Sequence, residues 1–254
     1  MFSISGPGWR ISELEAVLFD KDGTLVDLHF YWGEIIRRRA NAVIAHHKLE
    51  AAVFPRLCAA MGLSVDQQRL LPEGPVGLVS REEVIQALHG ALKDLGVATS
   101  PEIMAELFVR VHQDFQPDVE RFVQLIPGAA AFVAALRKAG AKLAVVTSDT
   151  AANTRQTLRR FRLGECFDSI VGHETTPEPK ISGVPARHAL EELGGSGEKT
   201  VCIGDGPMDF LMAEKSGCRA AIGVATGQIP GAELARYTKY VTPSLADLTV
   251  ERLS

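Results

Sequence analysis

Short apolar runs that each end among small and acidic residues set the pattern of this chain. Ala16–Phe19 runs into Asp20, residues 143–146 into Thr147, residues 201–203 into Gly204 and Asp205, and Ala220–Val224 towards Thr226. Continuous apolar runs of this length read as strands buried on both faces. Between them the spacing turns helical. Residues 128–139 place Phe132, Val133 and Leu136 on one face, residues 150–161 form a second helix, and Val184–Leu193 repeats the pattern with Val184, Leu190 and Leu193. Strands alternating with helices predict right-handed crossovers and a parallel, doubly wound sheet.

From position 27 to position 123 that alternation stops. Ser80 and Glu83 form a capping box ahead of Val84, Ala87, Leu88 and Leu92. Ser100 and Pro101 read as N-cap and first helical residue, followed by Ile103, Leu107, Val111 and Phe115 at helical spacing. The Pro and Gly residues between positions 71 and 77 predict a loop. The expected architecture is therefore α/β: a Rossmann-like parallel-sheet core built from residues 1–26 and 124–254, with an all-helical cap inserted at 27–123.

Composition narrows the partners. With 46% apolar and 23% charged residues among 254, the chain is a folding sequence rather than a disordered one. A net charge of −4, from 27 basic and 31 acidic side chains, argues against nucleic acid or an anionic membrane as partner. Cys58, Cys166, Cys202 and Cys218 show no CxxC spacing, so neither zinc nor a disulfide framework is expected and the cytoplasm is the expected compartment. No apolar stretch approaches the roughly 18 residues of a membrane span, and residues 1–15 lack a signal-peptide pattern. Both a monomer and a homodimer stay open.

The chemistry is expected at the carboxyl ends of the strands, where open parallel sheets bind ligands. Asp20-Lys21-Asp22-Gly23-Thr24, Thr147-Ser148-Asp149 and Gly204-Asp205-Gly206-Pro207-Met208-Asp209 all fall there. Any one of these groups also reads as ordinary turn and N-cap chemistry. Their conjunction is different, because several carboxylates at one sheet edge repel one another unless a cation sits among them. Oxygen ligands of this kind suit Mg²⁺, with Asp20 and Asp205 as its carboxylates. A carboxylate beside a metal can act as nucleophile and its neighbour as acid and then base.

The segment VLFDKDGTLVD resembles the first motif of the haloacid dehalogenase-like hydrolase superfamily, VVTSD its second and GDGPMD its fourth, all in the family's order. The position of the helical insert resembles the helical cap of the phosphoglycolate phosphatase-like branch. This resemblance implies an Mg²⁺-dependent phosphatase acting on a small phosphorylated metabolite. It makes Asp20 the nucleophile that becomes an aspartyl phosphate and Asp22 the acid and base. Mg²⁺ is then held by Asp20, the Asp22 carbonyl and Asp205, with Asp209 supporting the metal shell. The Thr147 hydroxyl and main-chain N–H groups near Lys21, Asp22 and Ser148 would bind the phosphoryl oxygens. The third motif departs from the family pattern: Lys180 follows Pro179 in TPEPKISGVP, and it is taken as the phosphate-binding lysine because no other Lys lies between Lys142 and Lys199. Asp22 favours phosphoryl transfer over dehalogenation. A sugar-phosphate mutase and a non-catalytic binding protein of the same fold stay as alternatives.

Other features read as structural. Arg37, Arg38 and Arg39 are expected on a solvated helix face, as are Arg155, Arg159 and Arg162. Phe30, Tyr31 and Trp32 are expected to pack where the chain enters the cap, and Cys202 to fill the core. The chain near Asp27 and again at 124–127 is expected to form a hinge.

Overall fold

Buried apolar residues anchor the first two strands, Phe2 and Ile4 on β1 (Phe2–Gly6) and Ile11 and Leu14 on β2 (Trp9–Leu14). The computed structural model describes residues 1–76 and 79–253. After β3 (Ala16–Phe19) the chain runs through α1 (Leu28–His47), α2 (Phe54–Ala60), the short strands β4 (Leu63–Ser64) and β5 (Arg69–Leu70), α3 (Arg81–Asp94) and α4 (Pro101–Phe115). It continues through α5 (Ala129–Lys138), β6 (Lys142–Val146), α6 (Ala151–Arg160), β7 (Ser169–Val171), α7 (Val184–Leu193) and β8 (Thr200–Gly204). Last come α8 (Pro207–Lys215), β9 (Ala220–Val224), α9 (Gly231–Leu234), β10 (Val241–Thr242) and β11 (Thr249–Arg252).

Six strands form one sheet in the order β10-β9-β8-β3-β6-β7, and its pairings are parallel. This is the α/β fold expected from the apolar runs. β3 lies between β6 and β8 with Phe19 opposite both Val145 and Ile203, so the carboxyl ends of the three strands are level. Every β3 residue is buried, because each face of the sheet is covered. On one face Ala16, Leu18, Ala144 and Cys202 pack with Ala186, Ala189, Leu190 and Met212 of α7 and α8. On the other, Phe19 meets Phe132 of α5 and Phe167 edge to face, with ring centroids 6.2 and 6.0 Å away.

A second sheet was not expected. β11, β1 and β2 pair antiparallel, with Phe2 opposite both Arg252 and Leu14, and so tie the two ends of the chain together. Its signal is the alternation of Phe2 with Ile4 and of Trp9 with Ile11, broken by the Gly6-Pro7-Gly8 turn, in which Gly8 has φ 78°. β7 and β10, three and two residues long, are too short to show a period.

The chain divides into two compact units, Met1–Asp27 with Leu125–Ser254, and Leu28–Gln124. Where the first unit is interrupted its two segments are paired: Val26 bridges Leu125, and the Ile126 N–H donates to the Leu25 carbonyl at 2.9 Å. The second unit has its own core, in which Ile36, Val43, Leu57, Leu88, Leu92, Met104 and Phe108 are fully buried. Ser80 caps α3 through both arms of the expected capping box, and Ser100 with Pro101 opens α4. The expectation of an all-helical insert needs correction, since β4 and β5 form a short antiparallel ladder with Leu63 opposite Leu70. Two-residue strands carry no periodic signal. Of the loop expected over 71–77, position 77 lies outside the described residues.

One basic group also needs correction. Arg38 pairs with Glu34 at 2.8 Å and Asp118 at 3.3 Å, but Arg39 is only 6% exposed, with its guanidinium carbon 4.0 Å above the Phe108 ring. Three consecutive helical residues point in three directions, and the third of these faces the core. Phe30, Tyr31, Phe115 and Phe122 form an aromatic group inside the same unit, and Arg155, Arg159 and Arg162 are exposed as expected.

Candidate active site

Because β3, β6 and β8 end level, the residues that follow them converge. Asp20 leaves β3 with its N–H donating to the Ile203 carbonyl at 2.9 Å, and its side chain is only 11% exposed. Asp205 follows β8 directly, and Asp209 stands in the first turn of α8, where its Oδ2 accepts from the Gly206 N–H at 3.1 Å. One carboxylate oxygen from each of Asp20, Asp205 and Asp209 lies within 4.8 Å of the others. The glycines beside them leave that space: a Cβ built at Gly204 would overlap the Asp209 carboxylate, and one at Gly227 the Asp205 carboxylate.

Lys180, which reaches in from the segment before α7, is the cation of this cluster. Its Nζ lies 2.5 Å from Asp20 Oδ1 and 2.6 Å from Asp209 Oδ1, and its side chain is buried. Burial opposes the ammonium charge, yet the Asp20 and Asp209 carboxylates outweigh it and hold the Lys180 pKa above the ordinary lysine value. One ammonium does not balance three carboxylates. Burial, reinforced by the charge on Asp20, pushes the Asp205 carboxyl well above the ordinary range, and burial likewise raises Asp209. A set of hard oxygen donors with excess negative charge fits a divalent cation.

Asp22 stands outside the carboxylate triad. Its side chain is 44% exposed, and the surrounding protein desolvates the carboxyl enough to push it up to about 6, against the pull of Lys21. The turn carrying it is tightly bonded: the Gly23 N–H donates to the Val26 carbonyl at 2.7 Å, and Thr226 Oγ1 donates to the Gly23 carbonyl at 2.6 Å. Thr147 is buried at the end of β6, its Oγ1 accepting from the Asp149 N–H at 3.1 Å, while Ser148 is exposed beside it.

Three residues receive no side-chain role from the sequence. Lys21 enters there only through its main chain, yet its Nζ pairs with Asp149 at 2.6 Å and Asp22 at 3.1 Å. Asp149 and Thr226 lie in the loops after the second and fourth apolar runs, and that placement was the available signal. Cys202, by contrast, is an inert filler, its thiol pushed well up by burial.

Comparison with known proteins places the chain in a family. The model of the haloacid dehalogenase-like hydrolases matches residues 14–217. A phosphoglycolate phosphatase of Neisseria meningitidis is 27% identical over 220 residues, covering 85% of this chain and 83% of the relative. Pyrophosphatase PpaX of Halalkalibacterium halodurans is 28% identical over 241 residues, covering 93% and 95%. The crystal structure of a predicted phosphoglycolate phosphatase from Haemophilus somnus superposes with a TM-score of 0.66 at 19% identity, over 93% of this chain and 97% of that one.

Proposed function

The chain belongs to the haloacid dehalogenase-like hydrolases and is a phosphoric monoester hydrolase, and we propose that it cleaves a small phosphorylated metabolite through an aspartyl phosphate on Asp20. The observation that carries this reading is the Asp20 carboxylate, pinned by Lys180 through Oδ1 inside the carboxylate triad, with Asp22 two residues further on. Pinning one oxygen leaves the other free as the nucleophile. In the first step that oxygen bonds to phosphorus, the bond from phosphorus to the leaving oxygen breaks, and Asp22 gives its proton to the departing group. In the second, Asp22 takes a proton from a water that attacks the same phosphorus. The bond to Asp20 then breaks and inorganic phosphate leaves. The Thr147 hydroxyl and the main-chain N–H groups near Lys21, Asp22 and Ser148 hold the phosphoryl oxygens. Lys180 offsets their charge.

Asp20, Asp205 and the Asp22 carbonyl would hold Mg²⁺, with Asp209 behind them, and the ion would neutralise charge on the transferring phosphoryl group. The sheet unit is the catalytic core in this reading, and residues 27–123 are the cap that selects the substrate. The names of the relatives put phosphoglycolate first among candidates, with pyrophosphate next. The cytoplasm is the place of action in this reading, and among the described residues no helix is long and apolar enough to cross a membrane.

Phosphate release from phosphoglycolate, pyrophosphate, sugar phosphates and 4-nitrophenyl phosphate with Mg²⁺ present tests the reading. Asp20→Asn keeps the size of the nucleophile and removes its charge, so release is expected to vanish. More than a few per cent residual turnover in that variant would reject the aspartyl-phosphate route. A mutase would interconvert sugar phosphates and release little free phosphate.

A further inference from the structure

Lys21 is a buried cation that the reaction described above does not use. It is 6% exposed, and it is fastened at both ends. Its carbonyl accepts from the Leu25 and Val26 N–H groups at 2.8 and 2.9 Å, which fixes its main chain to the turn after β3. Its Nζ donates to Asp149 Oδ2 at 2.6 Å.

Asp149 is itself immobile. Its N–H donates to Thr147 Oγ1 at 3.1 Å, its Oδ1 accepts from the Thr150 N–H at 2.7 Å and Asn153 Nδ2 at 3.2 Å, and its carbonyl accepts from the His173 N–H at 3.0 Å. The Lys21 ammonium is thus held in one place by a carboxylate that the start of α6 and the end of β6 hold in turn. From that place it reaches Asp22 Oδ2 at 3.1 Å, and Asp22 has no other side-chain partner among the described residues.

A carboxyl with its side chain 44% exposed and nothing else to bond is free to change rotamer. Proton donation to a leaving oxygen demands the opposite, since misplacing a reacting group by about 1 Å can cost roughly 10²-fold. We propose that Lys21, clamped by Asp149, is a positioning residue that aims the Asp22 carboxyl at the leaving oxygen. The proposal rests on the phosphatase reading. In the step it serves, the proton on the Asp22 carboxyl passes to the oxygen whose bond to phosphorus is breaking, and the electron pair of that bond becomes the new O–H bond. Lys21 exchanges no proton in it.

This role separates from a structural one by leaving group. An alkoxide is a far stronger base than 4-nitrophenolate, so 2-phosphoglycolate needs the proton at bond cleavage and 4-nitrophenyl phosphate does not. kcat/KM reports the steps up to departure of the first leaving group and is blind to the later attack of water. Lys21→Met is expected to lower kcat/KM for 2-phosphoglycolate by about 10²-fold and for 4-nitrophenyl phosphate by less than about tenfold. Asp149→Asn, which keeps the lysine and the volume, is expected to shift the same ratio in the same direction, and Lys21→Arg to restore most of it. Equal losses on both esters in both variants would show that the pair only supports the fold and would overturn the proposal. A wild-type chain that releases phosphate from neither ester, nor from pyrophosphate or a sugar phosphate, overturns the phosphatase reading, and the positioning role with it.

Discussion

Each unit of this molecule buries positive charge, and Lys180 and Arg39 are buried in opposite ways. Lys180 lies between Asp20 and Asp209, within 2.6 Å of both. Arg39 lies on Phe108 in the helical unit, its Nε without a hydrogen-bond partner among the described residues, and burial and the nearby Arg81 pull its pKa down to about 10. A lysine is a compact point charge that needs anions, whereas a guanidinium is planar, weakly hydrated and able to stack on a ring. The sheet edge therefore gathers charge that must be balanced, and the helical unit tolerates a charge by covering it with an aromatic face. That contrast separates an arrangement organised around charge from one organised around packing.

Removing Lys180 should break the first arrangement most severely. Lys180→Met leaves buried carboxylates facing one another without their cation, a change of the kind that costs about 3–5 kcal/mol. Denaturant unfolding in EDTA is expected to show that loss, and added Mg²⁺ should return part of it by supplying another positive charge. A variant as stable as the wild type in EDTA would mean that the carboxylates tolerate one another unaided. A smaller effect belongs to Asp22, whose carboxyl is pushed by burial up to about 6 in the folded chain, above the ordinary aspartate value of 3.8. Between these values the folded state holds more protons than the unfolded one, so this group's contribution to stability is present at low pH and is lost as pH rises through the window. Asp22→Asn should therefore gain on the wild type by a few degrees in Tm between pH 4 and pH 6 in EDTA, at most, because the side chain is 44% exposed. A difference that shrinks across that window would contradict the raised pKa.

The same contrast explains what the chain disclosed before its structure. Apolar runs buried on both faces are visible without context, so β3, β6, β8 and β9 and the residues at their ends were legible, and Asp20, Asp205 and Asp209 do meet. Elimination among the lysines points to Lys180, and the structure places its Nζ against Asp20 and Asp209, where a cluster of carboxylates needs a cation. The partnership of Lys21 with Asp149 was not legible, since it joins loops 128 positions apart and each residue alone looks like turn chemistry. Arg39 was misread for a related reason. Position on a helix says which residues share a face, but the burial of that face depends on α4, more than sixty positions further along. The strands before Ala16 were within reach of an alternation argument, and β4 with β5 was not.

Two further substitutions probe the helical unit, where effects should be small. Ser80→Ala removes the side-chain acceptor of the Glu83 N–H, a bond of 3.2 Å, and is expected to cost about 1 kcal/mol in denaturant unfolding. Arg39→Met is expected to cost less than that, or nothing. The stacked guanidinium contributes up to about 2 kcal/mol through the Phe108 ring, but its burial with no anion and no partner for Nε among the described residues works against it by a similar amount. Methionine keeps an unbranched apolar side chain against Phe108 and removes both terms together. Arg39→Ala should be the worse of the two, because it also empties the space the side chain fills. If Arg39→Met instead destabilised the chain as much as Lys180→Met, stacking would be the wrong account of how this charge is held. An anion would then have to neutralise Arg39 in solution, and phosphate or chloride titration against Tm would reveal it through a stabilisation that the methionine variant lacks.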